Sequence, residues 1–215
     1  MPTLITHHPA APSGIVQKLT LYDASLFTPG SAVLCRNTAP CVAFAYALLK
    51  RDVSCRILGR DIGATLVALV RKLRAVGLED LRSKLNAWSE REVTRAIGEG
   101  RSPEGVQDKT DCLAMFISAL DEDSRTIPDL IAKIELMFTD DAENAASRVT
   151  LSTVHKSKGL EYPTVFILDA DRLMPSRFAK QHWQKEQERN IQYVAITRAQ
   201  NALYYITSDR WKTER

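Results

Sequence analysis

The chain has 215 residues, of which 45% are hydrophobic and 26% charged, and its formal net charge at pH 7 is +3. This length allows one large domain or two small ones, and the composition predicts a globular protein rather than a disordered or fibrous one. No apolar run approaches the roughly 20 residues of a membrane span, and the first residues lack the basic and apolar regions of a secretion signal.

The spacing of the cysteines argues against a structural zinc site. All four lie far apart, and none forms a C-x-x-C pair. We therefore expect no zinc site and no other metal site, and reduced thiols in a cytoplasmic protein are the simplest interpretation. Cys35 and Cys55 fall inside apolar runs, where a free cysteine behaves as a small hydrophobic residue.

The first third of the chain predicts two buried strands, each followed by a helix. Short apolar runs entered and left through turn residues indicate the strands, and apolar residues at helical spacing indicate the helices. The predicted elements are an N-terminal linker and lead-in (1–29), a strand (32–35), a helix (40–51), a strand (53–59) and a helix (62–76).

A helical segment separates these elements from a second group of strands. Its helices are predicted over 79–98, 108–122 and 127–138. Two strands, a long helix and a last strand follow (149–154, 165–168, 178–200 and 202–206). Apolar strands joined by helices predict a mostly parallel α/β sheet covered on both faces, with ligands at the carboxyl ends of its strands.

Charge is distributed unevenly along this order. Residues 1–78 have net charge +6 and residues 148–215 have +5, whereas residues 79–147 have −8. If the two basic segments fold together around an acidic insertion, they form a candidate nucleic-acid or nucleotide surface. Well-solvated acidic helices without a functional meaning are the alternative, and charge alone does not decide between them.

The connection between the strands at 149–154 and 165–168 is unusually rich in functional groups. It reads HKSKGLE over residues 155–161. Lys156 and Lys158 could contact phosphates, Glu161 could accept hydrogen bonds from a ribose, and Gly159 permits close backbone approach to a ligand. A solvated charged loop is the alternative interpretation.

Two arginines occupy positions that suit phosphate binding. Arg198 continues the apolar helical stripe of Ile191, Val194 and Ala195, so it must be paired or must face a cleft. Its planar, permanently charged guanidinium binds phosphate through two parallel hydrogen bonds, although a helix-terminal arginine can also extend into solvent. Arg36 directly follows the strand at 32–35 and is the weaker candidate. No segment has the G-x-x-x-x-G-K-[ST] spacing of a Walker A motif.

Three stretches together resemble motifs IV, V and VI of the UvrD/Rep-type superfamily 1 DNA helicases, in their usual order. They are AVLCRNTAPCVAFAYALLKR, VTLSTVHKSKGLEYPTVFIL and QERNIQYVAITRAQNALYYI. The resemblance covers residues 30–60 and 148–208. It implies that residues 30–78 and 148–215 form the second RecA-like motor domain, an α/β fold of the P-loop NTPase type. Residues 79–147 stand where this family inserts its accessory domain, here reduced to an acidic helical insertion.

The resemblance also implies roles at the nucleotide. Arg198 and Arg36 match arginines that approach the γ-phosphate of ATP held by the first RecA-like domain, and they are the predicted catalytic residues. Glu161 matches the acid that contacts the ribose, and Gly159 is grouped with it as nucleotide-binding. One departure is Asn190, because several members of the family carry a second arginine there.

Other residues of the same motifs are implied to lie near single-stranded DNA. Thr153 and His155 match such positions, and Lys156 and Lys158 complete the predicted DNA-binding set. The implied cofactor is ATP with Mg²⁺, and the implied partners are single-stranded DNA and the N-terminal RecA-like domain of the same enzyme, with no membrane.

The chain is thus predicted to be the C-terminal motor domain of an ATP-dependent DNA helicase. Since it lacks the Walker A and B motifs, we expect it to be inactive in ATP hydrolysis without the missing domain. The alternative is a non-catalytic, helicase-derived module that binds single-stranded DNA or a protein. A nuclease-associated helicase subunit is less favoured, because no acidic nuclease cluster is visible.

Overall fold

A single parallel sheet carries every strand among the residues that the computed structural model describes, which are 13–120, 126–138 and 147–212. The strands are β1 (Ile15–Lys18), β2 (Ala32–Cys35), β3 (Cys55–Ile57), β4 (Val149–Thr153), β5 (Tyr162–Leu168) and β6 (Ala199–Ile206). Their spatial order is β1-β6-β5-β2-β4-β3, with all neighbours parallel. This arrangement confirms the predicted α/β class and is consistent with a RecA-like fold.

Helices cover both faces of this sheet. Those in the described residues are α1 (Thr38–Leu49), α2 (Arg60–Leu73), α3 (Leu78–Gly98), α4 (Glu104–Ser118), α5 (Ile127–Met137), α6 (Ala170–Leu173) and α7 (His182–Ile196). Among the described helices none is long and apolar enough to cross a membrane.

The central strands are buried on both faces, which explains their continuous apolar sequence. All four residues of β2 and all five of β4 are buried. Because side chains alternate along a strand, Val33 and Cys35 join the cluster beneath α1 and α2, whereas Ala32 and Leu34 join the cluster beneath α7.

The acidic insertion shares the first of these clusters. Leu85 of α3, Phe116 of α4 and Ile134 of α5 are buried in the same hydrophobic cluster as Val33. Its helix α4 packs against α1, and α5 packs against α2. The insertion is therefore bound to the sheet through a common core, while the division of the chain into domains remains a proposal.

Three predicted boundaries need correction. The lead-in 1–29 contains a strand, β1, which pairs with β6 although all four of its residues are exposed and only Ile15 and Val16 are apolar. The long helix predicted to reach residue 200 ends at Ile196, and β6 begins at Ala199. The cause is sheet pairing, because the Tyr162 N–H donates to the Arg198 carbonyl at 2.9 Å and Tyr162 pairs with Ala199, which brings Ala199 into the sheet. Residues 1–12 of the lead-in and parts of the insertion, 121–125 and 139–146, lie outside the described residues.

Candidate nucleotide and DNA site

The connection between β4 and β5 runs from one edge of the sheet to the other. Since β2 lies between these parallel strands, residues 154–161 must cross β2 from the carboxyl end of β4 to the amino end of β5. His155 therefore lies near the carboxyl edge and Glu161 at the amino edge. Gly159 adopts φ of 85° in this passage, a conformation that favours glycine. This geometry corrects the expectation that the functional groups gather at the carboxyl ends alone.

Three predicted site residues do meet at the carboxyl edge. Arg36, Thr153 and His155 line one cavity of about 390 Å³, and residues of the insertion, Glu104 and Asp108 among them, close its other side. Partial desolvation together with the nearby Arg36 cation lowers the pKa of His155 below its usual value. The imidazole is therefore neutral near pH 7 and can both donate and accept a hydrogen bond.

The two lysines of the connection are exposed. Lys156 Nζ lies 2.6 Å from Asp61 Oδ2 at the first turn of α2, and this contact lowers the pKa of the carboxyl group. Lys158 stands beside Gly159 at the surface. Because the Lys156–Asp61 pair is exposed to water, another anion can replace the carboxylate at low energetic cost.

Arg198 occupies the opposite edge and joins α7 to the connection. Its Nε donates to the Val194 carbonyl at 3.0 Å, its Nη1 to the Leu160 carbonyl at 2.8 Å and its Nη2 to Thr197 Oγ1 at 3.0 Å. Within the described residues these acceptors are all uncharged, so the position of the side chain is fixed without neutralising its charge. Glu161 is exposed nearby and accepts from Gln200 Nε2 at 3.3 Å.

Arg36 has a different environment, because two carboxylates neutralise it. Its Nη2 lies 2.8 Å from Glu188 Oε1 and 3.4 Å from Glu104 Oε2, and the exposed fractions of the three side chains are 16%, 6% and 17%. Glu188 also accepts from the Ser176 N–H at 2.9 Å. Burial alone would raise the pKa of Glu188, but the hydrogen bonds from Arg36 and Ser176 outweigh it and lower that pKa.

The structure does not bring the two predicted γ-phosphate arginines together. Arg36 follows the carboxyl end of β2, whereas Arg198 precedes the amino end of β6. Leu34 pairs with Ile167 of β5, and Ile167 pairs with Tyr205 of β6, so Leu34 and Tyr205 lie at the same height in the sheet. Arg198 lies seven positions before Tyr205. Arg36 lies two positions beyond Leu34, which makes nine positions in all, so at roughly 3.3 Å per residue the backbones of Arg36 and Arg198 are on the order of 30 Å apart along the strands. The two side chains share no hydrogen-bond partner among the described residues.

Sequence reasoning missed Glu188 and Glu104. Glu188 was detectable, because it lies three residues before Ile191 and seven before Ala195 on the same helical stripe as Arg198. A charged residue at either end of an apolar stripe needs a partner, so the stripe predicts a paired Glu188 as well as a paired Arg198. Glu104 gave no such signal, because it is the first residue of α4 and directly follows a segment rich in glycine and proline.

Comparison with known proteins places this geometry in a helicase context. The family profile of the UvrD-like helicase C-terminal domain matches residues 72–210, more than half of the chain. The chain is similar to a putative ATP-dependent DNA helicase, YjcD, of Bacillus subtilis, with 38% identity over 88 residues, 37% of this chain and 12% of the relative. It is also similar to the ATP-dependent DNA helicase PcrA of the same organism, with 37% identity over 87 residues, 39% of this chain and 12% of the relative. The ATP-dependent DNA helicase UvrD1 of Mycobacterium leprae is 36% identical over 96 residues, 41% of this chain and 12% of the relative. The matched part is therefore a small fraction of each curated relative.

Proposed function

Because the chain belongs to the family of UvrD-like helicase C-terminal domains, we propose that it is the second RecA-like motor domain of an ATP-dependent DNA helicase. Its partner would be an N-terminal RecA-like domain that holds ATP and Mg²⁺. This chain would supply an arginine to the nucleotide and a set of contacts to single-stranded DNA. The N-terminal domain and the single-stranded preference are inferred from the resemblance of the motifs.

The uncompensated charge of Arg198 is the observation that carries this proposal. A guanidinium held by neutral acceptors at a surface can bind an anion without first losing an ion pair. Exposed apolar side chains occur at its acceptor residue and on the last turns of α7, since Leu160, Tyr193 and Ile196 are 41%, 52% and 44% exposed. Such a surface suits contact with a second domain that brings the phosphate. Glu161 at the same edge would accept hydrogen bonds from the ribose.

The DNA contacts are assigned to the opposite edge. Thr153 and His155 line the cavity at the carboxyl end of β4, and Lys156 and Lys158 provide exposed positive charge beside it. The short connection 154–161 then links the carboxyl edge with these DNA contacts (the DNA edge) to the amino edge with Glu161 and Arg198 (the nucleotide edge). A movement of Glu161 and Arg198 on ATP binding would be transmitted through this connection to His155, which is a route for coupling hydrolysis to movement on DNA.

The decisive experiment measures ATP hydrolysis by the purified chain, with and without single-stranded DNA, before and after addition of an N-terminal half that bears a phosphate-binding loop. We expect activity only in the mixture, and stimulation of that activity by DNA. ATP hydrolysis by the chain alone that is lost in Arg198→Ala would reveal a phosphate site in this chain. It would contradict the proposal that a separate N-terminal domain holds the ATP. A mixture without activity that still binds single-stranded DNA would favour the non-catalytic binding module.

His155 provides a separate test of the DNA edge. We expect His155→Ala to weaken DNA stimulation of ATP hydrolysis in the mixture while leaving the KM for ATP nearly unchanged, because the side chain lies far from Glu161. His182→Ala is the matched control, since His182 is an exposed histidine on α7. Equal DNA stimulation in the wild type and in His155→Ala would remove His155 from the DNA-binding set.

A further inference from the structure

Four residues from separate segments close a ring of hydrogen bonds in a nearly buried position. Arg36 donates to Glu188 and to Glu104, the Ser176 N–H donates to Glu188, and Ser176 Oγ lies 2.9 Å from Glu104 Oε2. Each member of the ring therefore contacts two others. Both carboxylates and the guanidinium are mostly shielded from water, where charged hydrogen bonds are strong.

The ring ties the acidic insertion to the turn after β2. Glu104 and Asp108 are four residues apart on α4 and therefore lie on one face of that helix. Asp108 accepts from the Thr38 N–H at 2.9 Å and the Ala39 N–H at 2.8 Å, so it caps the N-terminus of α1. Helix α4 thus holds the turn between β2 and α1 through two carboxylates.

The ring also fixes α7, which ends beside Arg198. Glu188 lies near the middle of α7, and six residues later the Val194 carbonyl accepts from Arg198 Nε. At 1.5 Å per residue these two points are roughly 9 Å apart along a single rigid helix. Any rotation or sliding of α7 permitted by loss of the ring would therefore displace Arg198.

We propose that Arg36, Glu188, Ser176 and Glu104 form a clasp that sets the position of Arg198 by fixing α7 against β2 and against helix α4 of the insertion. Arg36 is then a positioning residue, and of these two arginines it is Arg198 that contacts the γ-phosphate. The clasp makes the insertion a structural support of the nucleotide edge. The importance of Arg198 in this inference rests on the proposed function, whereas the mechanical link between the ring and Arg198 does not.

Hydrogen exchange of the chain by itself tests the mechanical link. Glu188→Gln removes the charge but retains the side-chain shape, and Glu186→Gln on the exposed face of the same helix is the matched control. In Glu188→Gln we expect about tenfold faster exchange at the amides of residues 194–198 and at Tyr162, because at least one charged hydrogen bond that holds α7 is lost. Unchanged exchange at these amides, or faster exchange only beside residue 188, would overturn the clasp. If Glu188→Gln does not fold, Glu104→Gln at the more exposed end of the ring is expected to give the same exchange pattern.

Kinetic measurements on the mixture of this chain with the N-terminal half distinguish a positioning role of Arg36 from its direct contact with phosphate. If the clasp positions Arg198, both Glu188→Gln and Arg36→Lys lower kcat several-fold with little change in KM for ATP, because lysine cannot bridge both carboxylates. If Arg36 itself reaches the phosphate, Glu188→Gln instead leaves kcat unchanged or raises it by releasing the guanidinium, and the proposal is wrong. A mixture that hydrolyses no ATP contradicts the proposed function, whereas the exchange pattern still decides whether the clasp holds α7.

Discussion

Arg198→Ala is expected to lower kcat for ATP about a thousandfold in the assembled motor, which is the usual effect of removing an arginine directed at a transferring phosphate. Developing charge on the γ-phosphate would lose the cation that this domain is proposed to direct at it, the guanidinium held on the Leu160 carbonyl. The expected change is in kcat rather than in KM, because the contact strengthens as the transition state forms.

This prediction needs a control for the structural role of the same side chain. Arg198 also links α7 to the connection 154–161 through the Val194 and Leu160 carbonyls. Arg198→Lys keeps the charge and should recover only part of the activity, since lysine lacks the planar pair of donors. Arg189→Ala is the matched control, an exposed arginine on α7 whose loss should leave kcat unchanged. Near-normal turnover by Arg198→Ala would exclude Arg198 as the phosphate-directed arginine.

The sheet was largely predictable because its strands carry their own signal. Runs such as Ala32–Cys35 are apolar on consecutive positions, as strands buried on both faces must be, and the helices between them have clear periodicity. Strand β1 is not predictable in this way, because all four of its residues are exposed and only the first two, Ile15 and Val16, are apolar. The end of α7 was misplaced because pairing of Tyr162 with the Arg198 carbonyl is a tertiary interaction that local sequence does not encode.

The site was predictable as a set of residues but not as a geometry. Motif spacing identified His155, Glu161 and Arg198, yet their distribution over two edges follows from the strand order, which places β2 between β4 and β5. The partners of Arg36 come from positions 104 and 188, which are 68 and 152 residues away along the chain. No local pattern indicates that two acidic residues so distant in sequence meet one arginine.

Stability measurements on Arg36→Ala give the second large expected effect. The substitution leaves Glu188 and Glu104 in a shielded position without their cation, and such removal of one partner of a buried ion pair lowers the free energy of unfolding by about 3–5 kcal/mol. Lys18→Ala is the matched control, because it breaks the exposed Lys18–Asp171 pair and should cost about 1 kcal/mol or less. Urea unfolding of both variants at neutral pH measures the two losses.

The pH dependence of the loss in unfolding free energy caused by Arg36→Ala tests whether that loss is electrostatic. The folded-state pKa of Glu188 is lowered, so its ion pair stabilises the fold fully above the ordinary glutamate value of 4.5 and progressively less as pH falls through the folded-state pKa. In Arg36→Ala the carboxyl group loses its cation and keeps its burial, so its pKa rises and the variant gains relative stability as it takes up a proton. The difference in free energy of unfolding between wild type and variant should therefore narrow as pH is lowered toward 4.5 and below, with the neighbouring His155 contributing a smaller change. A difference that stays constant with pH would mean that Arg36 stabilises the fold by packing, and the ring could not then hold α7 through its charges.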